Sequence, residues 1–272
     1  MSVAGQASTI VHPTAAIAGG VELQHDVRVG PYAVIEAGAR IGRGTTIDAH
    51  VVVKGSATIG EDCRLHAGAV IGDDPQDLAF EREIPSRVRL ADGVIVREHA
   101  TIHRATTENG ATRIGRGTLI MGAAHVAHDC QIGEEVVICN AALIAGHVQI
   151  EDRAFISGNT VIHQFCRVGR LVMLSGLSGI GRDIGPFLTV AGRSDIVGLN
   201  SVGMRRAGLD GPARRRVKDA YRQLFSARTL ADGLAAITPI SDAGEEIIAI
   251  VEFYAGSRRG YSRPPAGHAF GG

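Results

Sequence analysis

Three histidines and a glutamine in the middle of the chain have the residue types that a catalytic site needs. The group consists of His128, His147, His163 and Gln164. An imidazole changes its protonation near neutral pH, so His128 could act as a general base that accepts a hydroxyl proton. Gly146 follows eighteen residues later, and a glycine there would let a backbone N–H approach a developing oxyanion. The neighbouring Asp129 could orient a histidine ring.

The same cluster has two other interpretations. Histidines at the surface of a fold are usually solvated and carry no chemistry, although three of them beside a glutamine make this reading less favoured. Three histidines can also bind zinc. Against a metal site, the imidazoles adjoin Asp129 and Gln164, and His125 occupies a different position in the surrounding repeat. The pattern therefore favours a general base and predicts no metal.

These residues lie inside a long repeat of six. Aliphatic residues recur at every sixth position from Val11 to Ile71, from Leu90 to Ile102 and from Ile114 to Ile180. The residue four places after each aliphatic one is small or β-branched, and the residue directly after the aliphatic one is often glycine. A period of six fits neither an amphipathic helix nor a hairpin ladder, but it matches the hexapeptide parallel β-helix. Three hexads make one triangular coil, so twenty-six hexads predict between eight and nine coils.

In such a coil, residues eighteen apart stack on one face at a spacing of about 4.8 Å. This brings the candidate residues together in neighbouring columns on one edge. The columns are His128, Gly146 and Gln164; Ala127, Ala145 and His163; and Asp129, His147 and Phe165.

The chain is predicted to be an all-β solenoid followed by a helical domain. The β-helix is expected over residues 1–192, with an inserted loop at 73–89 whose projection from a rigid scaffold favours a functional role. A connector and a C-terminal helical domain are expected over 193–259, and a mobile tail over 260–272.

Within the helical domain, Asp210 is a predicted N-cap with Pro212 in the first turn, and a second helix is predicted over Ala243–Tyr254. The connector before it looks irregular. A local basic zone is made of Arg193, Arg205, Arg206, Arg214, Arg215 and Arg216. Such a run is usually a solvated helix face, but it could also contact phosphates or an acidic protein.

Composition excludes several classes of function. The 272 residues have zero formal net charge, which gives no general reason to expect nucleic acid or a membrane surface as partner. No apolar run reaches membrane-spanning length, and Met1–Ile10 lacks the pattern of a secretory signal, so we expect a cytoplasmic protein without membrane insertion. The four cysteines are expected to be reduced, with Cys130 and Cys166 in the core two coils apart.

Six segments of the chain resemble one known enzyme family. They read Pro75-Gln76-Asp77-Leu78, Ile102-His103-Arg104, His125-Val126-Ala127-His128-Asp129-Cys130, Ala145-Gly146-His147-Val148, His163-Gln164-Phe165-Cys166 and Asn200-Ser201-Val202-Gly203-Met204-Arg205-Arg206. In order and spacing they resemble the UDP-N-acetylglucosamine O-acyltransferases over roughly Ile10 to Gly260. The resemblance implies a left-handed winding of the β-helix, which the spacing alone does not give.

The resemblance also implies an activity and its partners. A (3R)-hydroxyacyl chain would move from acyl carrier protein to the glucosamine 3-hydroxyl of UDP-N-acetylglucosamine, the first step of lipid A biosynthesis. The chain would form a homotrimer with active sites between subunits. No cofactor is implied beyond the phosphopantetheine that holds the acyl group on the carrier protein, and the acidic carrier would dock on the basic zone.

The resemblance assigns roles by position. His128 matches the general base, Gly146 matches the oxyanion donor, and Asp129 adjoins the base. Met173 and Gly176 fall where relatives limit acyl-chain length, and the glycine leaves room for a longer chain. The residues expected to hold the sugar, the nucleotide and its phosphates are Gln76, Asp77, His125, His147, His163, Gln164, Asn200 and Arg206.

Two positions depart from the family pattern. Ala79 stands where relatives carry a lysine, and Ala207 stands where they often carry an arginine. These departures leave open an acceptor that is a UDP 3-amino sugar, and a binding scaffold without activity. The histidines also leave open a zinc enzyme that resembles the γ-class carbonic anhydrases.

Overall fold

Short parallel strands, stacked coil upon coil, make up the first part of the molecule. The structure is a computed structural model that describes residues 9–238 and 244–265. Twenty-six strands follow the repeat, which confirms the number of hexads. They are β1 (Ile10–Val11), β2 (Ala16–Ile17), β3 (Glu22–Leu23), β4 (Arg28–Val29), β5 (Val34–Ile35), β6 (Arg40–Ile41), β7 (Thr46–Ile47), β8 (Val52–Val53), β9 (Ala57–Ile59), β10 (Arg64–Leu65), β11 (Val70–Asp73), β12 (Arg87–Leu90), β13 (Ile95–Val96), β14 (Thr101–His103), β15 (Ala111–Ile114), β16 (Leu119–Ile120), β17 (His125–Val126), β18 (Gln131–Ile132), β19 (Val137–Ile138), β20 (Leu143–Ile144), β21 (Gln149–Ile150), β22 (Phe155–Ile156), β23 (Val161–Ile162), β24 (Arg167–Val168), β25 (Met173–Leu174) and β26 (Gly179–Ile180).

The strands form three sheets around a three-sided core. Sheet 1 starts at β1 and has eleven strands, sheet 2 starts at β2 and has nine, and sheet 3 starts at β3 and has eight. Between uninterrupted coils the register advances by eighteen residues, as where Gln131 pairs with Gln149. Each strand points one residue outward and one inward: Val161 is 47% exposed, whereas Ile162 is fully buried. Each buried aliphatic side chain contributes about 1.5–3 kcal/mol, so the inner columns hold the coils together.

Residues in the left-handed backbone region turn the chain at its corners. Asp129, His147 and Phe165 have φ values of 60°, 60° and 65°. This region is unfavourable for residues with a side chain. The strain is offset by bonds between coils, because the His147 N–H donates to the His128 carbonyl at 3.0 Å and the Phe165 N–H donates to the Gly146 carbonyl at 3.1 Å.

Both interruptions of the repeat leave the corner between sheets 2 and 3. The first insertion comprises residues 74–86, shorter than the predicted 73–89 because β11 extends to Asp73 and β12 begins at Arg87. The second insertion comprises residues 104–110. They occupy the same corner as the candidate base, on the two preceding coils.

Arg104, in the second insertion, connects it to the first insertion through hydrogen bonds and an ion pair. Its guanidinium donates to the Ile84 carbonyl at 2.7 Å and pairs with the Asp74 carboxylate at 2.9 Å. It also lies 4.7 Å from the centroid of the Phe80 ring. Because the Arg104 side chain is only 11% exposed, these contacts are shielded from solvent and hold the insertion against the coils.

An antiparallel hairpin closes the last coil. β27 (Leu188–Ala191) pairs in parallel with β25, and β28 (Asp195–Leu199) pairs antiparallel with β27. The predicted domain boundary at residue 192 therefore falls inside the turn of this hairpin. Gly192 and Ser194 make that turn with φ values of 58° and 63°, which explains why its sequence looked like an irregular connector.

Four helices follow in the described part of the chain. They are α1 (Ser201–Arg206), α2 (Gly211–Ser226), α3 (Leu230–Ile237) and α4 (Glu245–Ala255). As predicted, Asp210 caps α2 by accepting the Ala213 N–H at 2.7 Å. The predicted helix from Ala243 starts outside the described residues and is seen as α4. None of the described helices has the length and apolarity needed to cross a membrane.

Neither α1 nor α3 was predicted, because both are too short to show a clear helical period. A capping signal for α3 was nevertheless present: Thr229 accepts the Asp232 N–H at 3.1 Å.

The C-terminal tail is anchored where it begins, which differs from the predicted mobility. The Gly260 carbonyl accepts the Asp183 N–H, and the Ser262 N–H donates to the Asp183 carbonyl, both at 2.9 Å. The Ser257 hydroxyl donates to the Asp183 carboxylate at 2.9 Å. Asp183 thus joins the end of the β-helix to the tail. Residues 266–272 of the predicted tail lie outside the described residues.

Candidate active site

The corner after β17 carries a hydrogen-bonded histidine and aspartate, which the second insertion supports. His128 Nδ1 lies 2.9 Å from a carboxylate oxygen of Asp129. The same oxygen accepts the backbone N–H of Thr106 at 3.0 Å and its hydroxyl at 2.6 Å. Thr106 belongs to the second insertion, so the insertion positions the aspartate, and the aspartate positions the imidazole.

The charge on Asp129 determines which nitrogen of His128 is free. Burial opposes ionisation of this carboxyl, but hydrogen bonds from His128 and Thr106 outweigh it and lower the pKa of Asp129 to about 2. At neutral pH the ionised carboxylate therefore accepts a hydrogen bond from the Nδ1–H of His128. Nε2 of the neutral ring is then the acceptor that a general base needs.

Only a glycine fits beside the His128 ring at position 146. A Cβ on Gly146 would lie 2.4 Å from Cε1 of His128 and 2.6 Å from Nε2. The two flanking N–H groups are bonded, because Ala145 donates to Ile162 at 3.1 Å and His147 donates to the His128 carbonyl at 3.0 Å. The Gly146 N–H donates to no atom of the described residues. An unpaired N–H beside a histidine acceptor is the arrangement that can stabilise an oxyanion.

His147 extends the cluster by one coil. Its ring stacks on Phe165 with centroids 4.5 Å apart and meets the His128 ring edge-on at 5.1 Å. Its Nε2 lies 3.7 Å from the Asp129 carboxylate. Because one face of the imidazole is covered by Phe165, the ring is held beside His128.

His125 lies on β17 and has a different environment. Its Nδ1 is 2.7 Å from the Thr101 hydroxyl, and its ring packs edge-on against His103 with centroids 4.7 Å apart. Burial, reinforced by the neighbouring His103 and His128, lowers the pKa of His125 to about 4. At neutral pH it is therefore an uncharged hydrogen-bonding group.

An open groove of about 840 Å³ crosses the outer face of sheet 2 next to this corner. His163 and Gln164 line it, with Val161 and Leu177 as exposed apolar side chains. His163 Nδ1 accepts a hydrogen bond from Arg259 at 2.9 Å. The groove thus offers an apolar wall with polar groups at one edge, which suits an amphipathic ligand such as a fatty chain with a polar end.

Three candidate residues lie in a second pocket, on the outer face of sheet 1. This pocket has a volume of about 990 Å³ and is lined by Met173, Asn200 and Arg206. In a three-sided prism, sheet 1 is opposite the corner between sheets 2 and 3, so one chain does not bring these residues to His128. Asn200 caps α1 by accepting the Gly203 N–H at 2.8 Å.

The remaining candidates are also apart from the His128 corner. Gln76 and Asp77 are exposed at the tip of the first insertion, where the Asp77 carboxylate accepts the Ala79 N–H at 2.9 Å. Gly176 lies at the corner between sheets 1 and 2, next to the groove residue Leu177. A Cβ on Gly176 would lie 3.4 Å from the Gly158 carbonyl oxygen, an ordinary contact that leaves the space around it open.

Comparisons with known proteins point to one enzyme family. The family model Udp N-acetylglucosamine O-acyltransferase, domain 2, matches residues 183–262, and a bacterial transferase hexapeptide model matches residues 38–73 and 111–146. An acyl-[acyl-carrier-protein]–UDP-N-acetylglucosamine O-acyltransferase from Alkalilimnicola ehrlichii is 46% identical over 259 residues, which cover 94% of this chain and 100% of the relative. One of the same name from Anaeromyxobacter sp. (strain K) is 44% identical over 256 residues, covering 93% and 99%. The chain belongs to the UDP-N-acetylglucosamine O-acyltransferase family.

Solved structures of UDP-N-acetylglucosamine O-acyltransferases share the fold. The enzyme from Campylobacter jejuni aligns with a TM-score of 0.87 at 34% identity, over 92% of this chain and 98% of that one. The enzyme from Moraxella catarrhalis aligns with a TM-score of 0.89 at 32% identity, over 93% and 99%. The predicted left-handed β-helix with a C-terminal helical domain is thereby confirmed.

The zinc and amino-sugar alternatives are not favoured for this acyltransferase, since the relatives above are named as O-acyltransferases of UDP-N-acetylglucosamine. Among the described residues, one group has ligand atoms close enough for a metal: His128, Asp129 and His147. It does not match a three-histidine zinc site, because His163 is paired with Arg259 instead. In addition, the Asp129 carboxylate already accepts hydrogen bonds from His128 and Thr106.

Sequence reasoning missed three residues that position the site. Thr106 and Arg104 lie in or beside the insertions, where the repeat no longer predicts neighbours. Arg259 reaches His163 from the C-terminal tail. Arg104 belongs to the segment Ile102-His103-Arg104, which resembles the enzyme family, and this resemblance could have drawn attention to it. No feature of the sequence pointed to Thr106 or Arg259.

Proposed function

We propose that this acyltransferase moves a (3R)-hydroxyacyl chain from acyl carrier protein to the glucosamine 3-hydroxyl of UDP-N-acetylglucosamine, the first step of lipid A biosynthesis. The observation that carries the proposal is the hydrogen-bonded His128–Asp129 pair, whose imidazole lies against Gly146, a residue with an unpaired N–H, beside a groove with an apolar wall. The names of the relatives supply the donor and the acceptor.

In the proposed mechanism, His128 is the general base. Nε2 takes the proton of the sugar 3-hydroxyl while the hydroxyl oxygen attacks the thioester carbonyl carbon. The new C–O bond forms and the C–S bond breaks. The proton then passes from Nε2 to the departing phosphopantetheine sulfur, which restores neutral His128. Asp129 keeps the ring oriented and stabilises the imidazolium that forms in between.

The Gly146 N–H is the proposed oxyanion donor. It is the unpaired donor between two bonded N–H groups of the same corner, and it adjoins the His128 ring. A donor fixed in the backbone needs no reorganisation when charge develops on the thioester oxygen. The sugar would be held by His147, Gln76 and Asp77. His125 would contribute an uncharged hydrogen-bonding group near the sugar.

We further propose a homotrimer in which each site is built from two subunits. Large apolar side chains face outward along the groove side of sheet 2: Leu143, Val161 and Leu177 are 45%, 47% and 81% exposed. Exposed apolar area of this kind is typical of a subunit interface. A ring of three would set the groove of one subunit against the sheet 1 pocket of the next, so that Arg206 could contact the nucleotide phosphates.

The remaining parts of the proposal concern the ligands and the setting. The acyl chain would lie in the groove with His163 and Gln164 at its polar edge, and Gly176 and Met173 would act on chain length from the two facing subunits. No cofactor is proposed apart from the carrier's phosphopantetheine. We place the reaction in the cytoplasm, where unpaired cysteines such as the four found here are the usual state.

Replacing the base tests the proposal. With hydroxyacyl carrier protein and UDP-N-acetylglucosamine, His128→Gln should lower kcat by about 10²–10⁴-fold, the usual contribution of a general base. His66→Gln is the matched control, because His66 is also a corner histidine paired with a carboxylate, 3.2 Å from Asp48, but lies outside the site. Thermal unfolding of both variants would show that they fold. Wild-type rates in His128→Gln would exclude the proposed base.

A further inference from the structure

A pocket lined by four arginines lies where the last coil, the start of α3 and the tail meet. Arg182 comes from the last coil, Arg228 precedes α3, and Arg259 and Arg263 belong to the C-terminal segment. Thr229 and Tyr261 add hydroxyl groups to its wall. We call this depression the arginine pocket. It is distinct from the basic zone predicted from the sequence, with which it shares no residue.

The guanidinium groups of the arginine pocket are not neutralised within the described residues. Arg259 donates to His163 Nδ1 at 2.9 Å and to the Gly181 carbonyl at 3.2 Å, and Arg263 donates to the Tyr261 hydroxyl at 3.2 Å. None of the four arginines forms an ion pair with a carboxylate in residues 9–238 and 244–265. Like charges brought together without counter-charge favour the binding of an anion.

The basic zone contains one arginine that a carboxylate neutralises. Arg216 pairs with the Glu246 carboxylate at 2.6 Å, and Arg214 donates to the Leu209 carbonyl. In the arginine pocket, by contrast, all four guanidinium groups lack a carboxylate partner among the described residues and line one depression.

The arginine pocket is continuous with the groove on the outer face of sheet 2, in which the acyl chain is proposed to lie. Arg182 lines both of them. Arg182 is also the fourth member of the column that starts with His128, because the register of eighteen continues from Val161 to Gly179. Three coil spacings separate the levels of His128 and Arg182, which amounts to about 14 Å. A ligand that reacts at His128 and extends along this column ends among the arginines.

We propose that the arginine pocket binds the phosphodiester of the phosphopantetheine arm while the thioester lies at His128. The proposal rests on the proposed acyl transfer. About thirteen bonds separate the sulfur from the phosphorus of the arm, and a chain of that length extends roughly 16 Å at backbone-like rise. This length is close to the distance of about 14 Å between the levels of His128 and Arg182. A guanidinium fork fits phosphate oxygens with two parallel hydrogen bonds, which explains arginines in place of lysines.

Carrier-free donors isolate the role of the phosphate. The experiment compares kcat/KM for (3R)-hydroxyacyl-4′-phosphopantetheine with that for (3R)-hydroxyacyl-pantetheine, which lacks the phosphate. For the wild type we expect a ratio of about 10 or more, since charge-assisted hydrogen bonds to phosphate are worth about a factor of ten. Arg228→Gln and Arg263→Gln should each lower the ratio by about 3-fold, and the double variant should bring it close to 1.

The matched control is Arg258→Gln, which removes the same charge from an exposed arginine outside the arginine pocket and should keep the wild-type ratio. Thermal unfolding checks that each variant folds. A wild-type ratio near 1, with both donors active, overturns the pocket assignment but leaves acyl transfer intact. Variants that slow transfer from the full carrier protein without changing the ratio also overturn it, because the arginines then contact the carrier's protein surface. Absence of transfer from every donor would instead defeat the proposed function itself.

Discussion

Two histidines only three positions apart differ in what they can do. His128 donates from Nδ1 to an ionised aspartate and keeps Nε2 as an acceptor, whereas His125 is partly buried against a third histidine, which lowers its pKa to about 4. The difference arises from the strand and the corner on which they lie. One sequence motif therefore contains a proton acceptor and a group that stays neutral.

The low pKa of His125 predicts a pH dependence of stability. In the unfolded chain a histidine binds its proton near pH 6.5, whereas folded His125 binds one only near pH 4. The unfolded state thus holds more protons in this window, so stability is full above about pH 6.5 and falls as the pH drops towards 4. His125→Gln should lose less free energy of unfolding than the wild type between pH 7 and pH 4.5, measured by denaturant titration. The same substitution at the exposed His12 is the control, and equal acid sensitivity of wild type and His125→Gln would contradict the prediction.

At the scale of the elements, most strands are only two residues long, so one strand differs little from the next. The coils differ from one another mainly in the residues at their corners. Glycines after the strands of sheet 3 let consecutive coils approach closely. A Cβ on Gly115 would lie 2.3 Å from the Gly133 carbonyl oxygen, which belongs to the next coil. Since both atoms would be fixed by the backbone, neither can move aside cheaply.

Gly115→Ala should therefore lower the free energy of unfolding by about 1–3 kcal/mol, the usual cost of overpacking. Gly19→Ala is the matched control, because a Cβ on Gly19 meets nothing within 4 Å and its φ is not in the left-handed region. The control should change stability by less than about 0.5 kcal/mol. Denaturant titration of both variants measures the difference. A cost for Gly19→Ala as large as that for Gly115→Ala would show that coil spacing is not the cause.

The sequence predicted the elements where the repeat is regular and failed where it is interrupted. A constant advance of eighteen residues was enough to place Gly146 beside His128. Across the second insertion the advance becomes twenty-four, as where Thr101 pairs with His125, and so the contact of Thr106 with Asp129 could not be read from spacing. Arg259 lies ninety-six residues from His163, and only the folded tail brings them together.

At the scale of the whole molecule, the candidate residues fall on two sides of one chain. His128 lies at the corner between sheets 2 and 3, and Arg206 lines the pocket on sheet 1 opposite. The stacking of coils relates residues within a chain but carries no information about neighbouring chains, so spacing could not predict that these sides meet. The proposed trimer resolves this separation by joining each side to its complement on the next subunit.

Mixed trimers test that assembly directly. His128→Ala and Arg206→Ala chains, each with its own affinity tag, are co-expressed, and trimers that carry both tags are purified. In a ring whose sites take His128 from one subunit and Arg206 from the next, every mixed trimer has one intact site, so its rate should be about one third of the wild-type rate. Each variant alone should be much less active. If both residues acted within one chain, no subunit of a mixed trimer would have a complete set, and its activity would stay at the average of the two variants.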